Sequence, residues 1–512
     1  DWKGRPWEEA IFYELHVGTF SPEGTFAGCR EKLDYLADLG VTAVELMPVA
    51  DFPGSRNWGY DGVSLFAPDS RYGRPEDLKA LIDAAHARGI MVFLDVVYNH
   101  FGPEGNYLHA YAEPFFRDRR QTPWGAALDF DGPASRWVRE FFVHNALYWL
   151  EEYHLDGLRL DAVQAIHDGS PRHLLDEIAQ GVRETLGRDR HIHLVLENDD
   201  NAADYLERSG AGLPRLYDAQ WNDDIHHALH VALTGEHGGY YADYAEQPVE
   251  QLARCLTEGF AYQGEASRHR GGAARGQPSG HLPAIAFVSF LQNHDQIGNR
   301  AFGERIHALA GPDSVRAALA TLLLAPAPPL LFMGQEWGAT QPFLFFCDLG
   351  EDLAGKVIEG RCREFSRFPE FREPSARASI PDPMAARTFA ASVLDWDVLS
   401  RPPHDLWLAF HQKLLAIRQR DIVPRLCDMP AGRAAFEMLG DRAFRANWPL
   451  ADGSSLVLLA NFHTEQAVGV PHRPGRVLFD TQAATAIDGE PDRQRLPPWS
   501  VLWGIAQDNP AA

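Results

Sequence analysis

Three acidic residues, far apart in the chain, each close a short apolar run: Asp161 after Gly157-Leu-Arg-Leu, Glu197 after Leu194-Val-Leu, and Asp295 after Phe290-Leu-Gln-Asn-His. A fourth run carries Asp95 and ends Val96-Val-Tyr-Asn99-His100. Two carboxyl groups do complementary work when one stays ionised and the other keeps its proton. The first attacks a carbon such as the anomeric centre of a sugar, and the second protonates the departing oxygen. Arg159 lies two residues before Asp161, on the same side of an extended strand. Its cation is expected to hold Asp161 ionised, while burial and a neighbouring carboxylate raise the pKa of Glu197. Taken singly, each fragment has a plainer meaning. A lone Asp at a strand end is more often a cap or salt-bridge partner, and His100 alone is a satisfied loop histidine. Four strand ends carrying polar groups in a compatible order are what give the pattern weight.

Such groups meet only if the strands run side by side in one direction. From about residue 10 to 340, apolar runs alternate with amphipathic stretches. Expected strands are 10–20, 41–48, 90–97, 157–163, 191–196, 216–221, 284–290 and 329–332. Expected helices include 25–39, 75–88, 135–152 and 173–186, with Gly40 and Gly89 as stops. About eight such units predict an α/β fold, a (β/α)8 TIM barrel whose C-terminal strand ends face one mouth. A doubly wound open sheet is the alternative, disfavoured because no GxGxxG follows the first strand; no cofactor is called for.

Two long irregular stretches interrupt the rhythm: an excursion after the third strand at 101–134, and a Gly/Arg/Ser-rich loop at 260–282. A helix is expected at 407–418, then strands near 436, 444–448, 456–460 and 477–479. We therefore expect a barrel unit over 1–429, including 101–134, and a small antiparallel β-sandwich domain over 430–512.

Forty-seven basic against 71 acidic residues leave the 512-residue chain at −24. That surface repels polyanions, so neither nucleic acid nor an anionic membrane is expected as partner, and a neutral ligand fits better. Five scattered cysteines without a CxxC pair point to a reducing cytoplasm rather than a disulfide framework. No apolar run reaches the ~18 residues of a membrane span.

Asp95-Val-Val-Tyr-Asn-His100, Gly157-Leu-Arg-Leu-Asp161, Leu196-Glu197 and Asn293-His-Asp295 together resemble the four short conserved stretches of the α-amylase family of glycoside hydrolases, in order and spacing. The resemblance implies Asp161 as nucleophile, Glu197 as general acid/base and Asp295 as the carboxylate that grips the sugar. It also implies that Asp95, Arg159, His100 and His294 shape the subsite of the attacked glucose, with Tyr60 stacking on it. Asn99 resembles a calcium ligand of some members, but the reading includes no metal site. Within the family, Asn57-Trp-Gly-Tyr-Asp-Gly62, Ala219-Gln-Trp-Asn-Asp223 and Pro342-Phe-Leu-Phe-Phe-Cys-Asp348 are similar to the branch that cuts malto-oligosyltrehalose beside its terminal trehalose. That likeness runs over essentially the whole chain and puts Trp221 and Asn222 beside the leaving trehalose. Gln164 and Ala165 stand where amylases commonly carry Lys-His, which argues against a plain amylase. Members of that branch usually also carry an N-terminal β-sandwich, which this sequence does not show. The rival readings are a glucan branching enzyme, a non-catalytic glucan-binding barrel, and a metal-dependent hydrolase using His100 and His294.

Overall fold

In a strand, neighbouring side chains point to opposite faces, so a strand buried on both faces reads as unbroken apolar sequence. Eight strands, buried on both faces though several carry a polar or charged residue, close into a parallel barrel in the computed structural model, which describes residues 2–122, 125–187, 189–366, 368, 371–470, 474–481 and 495–507. They are β1 (Phe12–Leu15), β2 (Ala43–Leu46), β3 (Met91–Val96), β4 (Gly157–Leu160), β5 (His193–Leu196), β6 (Ala219–Trp221), β7 (Phe287–Phe290) and β8 (Pro329–Phe332). Each pairs with its sequence neighbours, and β8 returns to β1 through Phe12–Leu330 and Glu14–Phe332.

The inside of the barrel is graded. Its lower layers are apolar, built from Phe12, Ala43, Met91, Phe93, Val195, Ala219, Val288 and Leu330. One step further along the same faces stand Glu14, Glu45, Asp95 and Arg159, all buried. Glu14 faces Glu45 and Asp95 faces Arg159 in register across neighbouring strands. The alternation that fills the core with hydrocarbon thus delivers charge to its upper rim.

Helices Pro75–His86, Ser135–Glu152, Leu174–Thr185, Asp223–Thr234 and Pro312–Leu323 surround the barrel. Pro75 opens the first of these at its first turn, where a missing N–H costs nothing. The expected strand at 10–20 is shorter: β1 ends at Leu15 and Val17–Phe20 forms a helical turn. The excursion 101–134 holds a short helix, Leu108–Tyr111, and a hairpin of Phe116–Thr122 with Gly125–Leu128.

At the C-terminal end, β9 (Ala435–Met438), β10 (Ala443–Pro449), β11 (Ser454–Asn461), β12 (Arg476–Asp480) and β13 (Ser500–Gln507) form an antiparallel sheet in the order β9-β10-β11-β13-β12. Trp448 and Trp503 stack with ring centroids 5.4 Å apart. Their indole N–H groups donate to Leu256 O at 3.3 Å and Ala320 O at 2.9 Å, which fastens the sheet to the barrel helices. The other face carries a small cluster of Leu459, Val470, Leu496 and Leu502 under a two-stranded pair, Ala467–Val468 with Arg495–Leu496. The expected strands do not include β13; Pro497, Pro498 and Gly504 disguise it, since such residues are depleted in strands.

Gly157 leaves room for the apolar layer. A methyl group there would lie 2.2 Å from the Phe93 ring and 2.5 Å from His193 O. Neither ring nor backbone can retreat inside a packed barrel, so Gly157→Ala is expected to cost about 1–3 kcal/mol. A thermal unfolding midpoint equal to the parent's would contradict this packing.

Candidate active site

Asp161 and Glu197 stand one residue beyond β4 and β5, where the parallel ladder still holds them: Asp161 N–H donates to Val96 O and Glu197 N–H to Leu160 O, each at 3.0 Å. Their side chains meet on one buried cation. Arg159 Nη1 lies 2.6 Å from Asp95 Oδ2 and 2.9 Å from Asp161 Oδ1, while Nη2 lies 2.9 Å from Glu197 Oε2. The guanidinium also sits 4.1 Å from the centre of the Trp221 ring, whose π face favours it. Arg159 is therefore not the private partner of Asp161 that the sequence reading expects. It serves three carboxylates. Burial pushes both Asp161 and Glu197 above the ordinary carboxylate range, and Arg159 opposes the shift at each.

The remaining contacts separate the two groups. Asp161 Oδ2 accepts from Asn99 Nδ2 at 3.1 Å, whereas Glu197 Oε2 accepts the backbone N–H of Ala162 at 2.8 Å. Ala162 aims that N–H by taking left-handed backbone, φ +41°. In a non-glycine residue this costs on the order of 1 kcal/mol or more and is typical of functional sites. Asn99, compared above with a calcium ligand, is occupied with Asp161 and with the ring of His100. Among the described residues, no three His, Cys, Asp or Glu side chains are grouped to hold a metal ion.

Asp295 completes the mouth from the helical turn after β7. Its side chain is 42% exposed, against 14% for Asp161 and 15% for Glu197. Asn293 caps that turn and Asn299 Nδ2 donates to Asp295 Oδ1 at 3.1 Å. His294 is buried beneath, with Tyr60 stacked 5.2 Å away, ring centre to ring centre. The Tyr60 hydroxyl lies 2.7 Å from Asp95 Oδ2 and 2.9 Å from His294 Nε2. Tyr60 is delivered by a tight turn at Gly59, φ +108°, where a Cβ would sit 2.1 Å from Pro48 O. His100 braces the same turn by its Nε2 contact with Tyr60 O at 2.9 Å.

Tyr60, Asp95, His100, Arg159, His294 and the three carboxylates are thus brought together. Trp221 and Asn222 are placed otherwise. Trp221 is 1% exposed, packed under Arg159 and His294, and Asn222 is fully buried with its amide on Gly259 O at 2.8 Å. Trp221 ends β6, and Asn222 is the N-cap of the helix Asp223–Thr234. Neither lines the mouth. Asp223, the next residue, turns back toward Glu197, Asp199 and Asp295; burial and then those charges push its carboxyl well above the ordinary range. The sequence reading misses Asp223 as well as Glu14, whose carboxylate receives both the N–H and the Nδ1 of His294. A lone glutamate inside an apolar strand was the available signal.

The basic loop 260–282 is neutralised at the rim. Arg270 pairs with Asp199 at 2.6 Å and Asp200 at 2.7 Å, and Arg275 with Asp224 at 2.8 Å and Asp199 at 3.1 Å. These arginines tie the loop to the segment that follows Glu197.

A closed parallel barrel with three carboxylates gathered at its C-terminal mouth defines the class, an α-amylase-type barrel. A family model described as "Alpha amylase, catalytic domain" matches residues 8–124, and one for a domain of unknown function (DUF3459) matches 431–503. A malto-oligosyltrehalose trehalohydrolase of Deinococcus radiodurans is 46% identical over 429 residues, covering 83% of this chain and 68% of the relative. The enzyme of the same name from Arthrobacter ramosus is 43% identical over 480 residues, covering 93% and 80%. A crystal structure of a putative α-amylase from Salmonella typhimurium superimposes with a TM-score of 0.92 at 47% identity, over 99% of this chain and 83% of that one. The chain belongs to the malto-oligosyltrehalose trehalohydrolase family, within the α-amylase group of glycoside hydrolases.

Removing the shared cation leaves Asp95 buried without its charge partner. Breaking a buried pair in this way costs about 3–5 kcal/mol. Arg159→Met is expected to lower stability in denaturant by that amount; a loss under ~1 kcal/mol would show that the carboxylates do not depend on it.

Proposed function

We propose that the chain hydrolyses the α-1,4-glucosidic bond next to the terminal trehalose of malto-oligosyltrehalose, with retention of configuration, releasing trehalose and a shortened maltodextrin. The observation that carries this reading is the pair of carboxylates resting on the two Nη nitrogens of Arg159, at 2.9 Å each, in a chain with such relatives. Retention needs the two carboxyl groups roughly 5 Å apart, and sharing one guanidinium is compatible with that spacing.

Asp161, the better solvated by side-chain donors, attacks the anomeric carbon as the glycosidic bond breaks. Glu197, whose carboxyl burial and the nearby Asp161 charge raise against the pull of Arg159, gives its proton to the departing trehalose oxygen. In the second half it takes a proton from water, whose oxygen attacks the anomeric carbon and frees Asp161. Asp295, the most exposed of the three, binds hydroxyls of the attacked glucose, and Tyr60 offers its ring to the sugar's apolar face. Asp223 faces Glu197 and Asp295, so it takes the place we expected for Trp221 and Asn222 on the leaving-group side.

The remaining ligand and cellular setting follow the same reading. A neutral oligosaccharide suits a −24 chain, and five cysteines without a disulfide suit a reducing cytoplasm. No helix among the described residues is long and apolar enough to cross a membrane.

Incubation with malto-oligosyltrehalose should release free trehalose, and proton NMR should show the new maltodextrin end first as the α-anomer. Asp161→Asn and Glu197→Gln should each lower kcat by about a thousandfold or more, with the fold intact. New α-1,6 branches without free trehalose, or near-parental turnover by Asp161→Asn, would overturn the assignment.

A further inference from the structure

Glu14 and Glu45 face each other in register on β1 and β2, each about 1% exposed. Two buried carboxylates side by side are not both tolerated as anions. The structure distinguishes them. Burial and then the Glu14 charge push the Glu45 carboxyl well above the ordinary range. Glu14 instead lies 3.1 Å from the His294 N–H through Oε2 and 2.5 Å from Nδ1 through Oε1. No step of the proposed reaction uses Glu14, yet it touches His294, beneath the mouth of the site.

The consequence is a matter of counting protons. The Tyr60 hydroxyl has one hydrogen and two neighbours that could take it, Asp95 Oδ2 and His294 Nε2. If His294 is neutral with its proton on Nδ1, its Nε2 is a bare acceptor that competes with Asp95. If His294 is an imidazolium, Nε2–H donates to the tyrosine oxygen, and the hydroxyl proton has only Asp95 to go to. Asp95 in turn holds Arg159 Nη1 at 2.6 Å.

We propose that Glu14 is a positioning residue: by keeping His294 charged it commits the Tyr60 proton to Asp95, and so fixes the guanidinium on which Asp161 and Glu197 rest. The chain Glu14–His294–Tyr60–Asp95–Arg159 then crosses β1, the turn after β7, the turn after β2, β3 and β4: His294 donates to Glu14 and to Tyr60, and Tyr60 and Arg159 both donate to Asp95.

Other charges face His294 from all sides. Asp295 is its own neighbour, Arg159 approaches from β4, and Glu45, Asp95, Glu197 and His16 from β2, β3, β5 and the end of β1. Burial works against the charged ring, but the charge and hydrogen bond of Glu14 together with the Asp295 charge prevail, and His294 is pushed up to about 9. A group raised in this way is charged in the fold below that value and loses the interaction as pH rises through it.

The test is Glu14→Gln, which keeps the shape and removes the charge. Ring-labelled histidine NMR, with His294→Gln identifying the signal, should show the His294 midpoint falling from about 9 by roughly two units or more. The consequence for turnover rests on the proposed hydrolysis, whereas this titration does not. On malto-oligosyltrehalose, the alkaline limb of the kcat profile should move to lower pH, and kcat should fall about tenfold or more with KM little changed. In a Tyr60→Phe background, Glu14→Gln should cost little further. An unmoved midpoint, or losses that multiply in the double variant, would overturn the proposal. Should Glu14→Gln fail to fold, the parent protein decides: a His294 midpoint near 9 supports the chain, and one at or below the ordinary 6.5 overturns it.

Discussion

A single guanidinium sealed inside the barrel is what the rest of the site depends on. Taking Arg159 out of water costs several kcal/mol, and an uncompensated carboxylate beside it would cost as much again. The molecule resolves both by placing Asp95, Asp161 and Glu197 around one cation and by laying the Trp221 ring on its face. Because each carboxylate comes from a different strand, the ion pairs also fix the relative height of β3, β4 and β5. Electrostatics and strand register thus specify the same geometry.

The scaffold makes that arrangement affordable through period-two alternation. Apolar residues fill the lower barrel, and the next inward positions present Glu14, Glu45, Asp95 and Arg159. Loops then adjust what the strands deliver. Gly59 turns Tyr60 inward, Ala162 turns an N–H onto Glu197, and Asn293 caps the turn that holds Asp295 at the surface. The outer loops bind one another as well. Arg270 and Arg275 join the 260–282 loop to the residues after Glu197, and Gly350 N–H donates to Glu104 Oε2 at 2.7 Å, joining segments that follow β8 and β3.

Much of this was legible in the residues. Short apolar runs located the eight barrel strands, and the acidic residues near the ends of four of them marked the mouth, because strand ends of a parallel barrel converge there. Helix 135–152 and strand 329–332 coincide with the observed elements. What escaped the reading has physical causes. Pairing Arg159 with Asp161 alone follows from looking along one strand, whereas the register across strands adds Asp95 and Glu197. The burial of Trp221 beneath Arg159 and of Asn222 against Gly259 comes from packing between elements, which neighbouring residues in the chain do not display. Glu14 sits 280 residues from His294, a partnership visible only once the barrel closes. The Gly/Arg/Ser-rich loop at 260–282 gave no sign of its acidic partners Asp199, Asp200 and Asp224, which come from elsewhere in the chain.

The most direct measurement asks which carboxylate takes the sugar. A 5-fluoroglucosyl fluoride that forms the covalent intermediate quickly and releases it slowly would trap the glycosyl-enzyme for peptide mass spectrometry. The account requires one added glucosyl residue, on the peptide containing Asp161, and none when Asp161 is replaced by Asn. A label on Asp295 or Glu197, or turnover with inversion and no label at all, would contradict it.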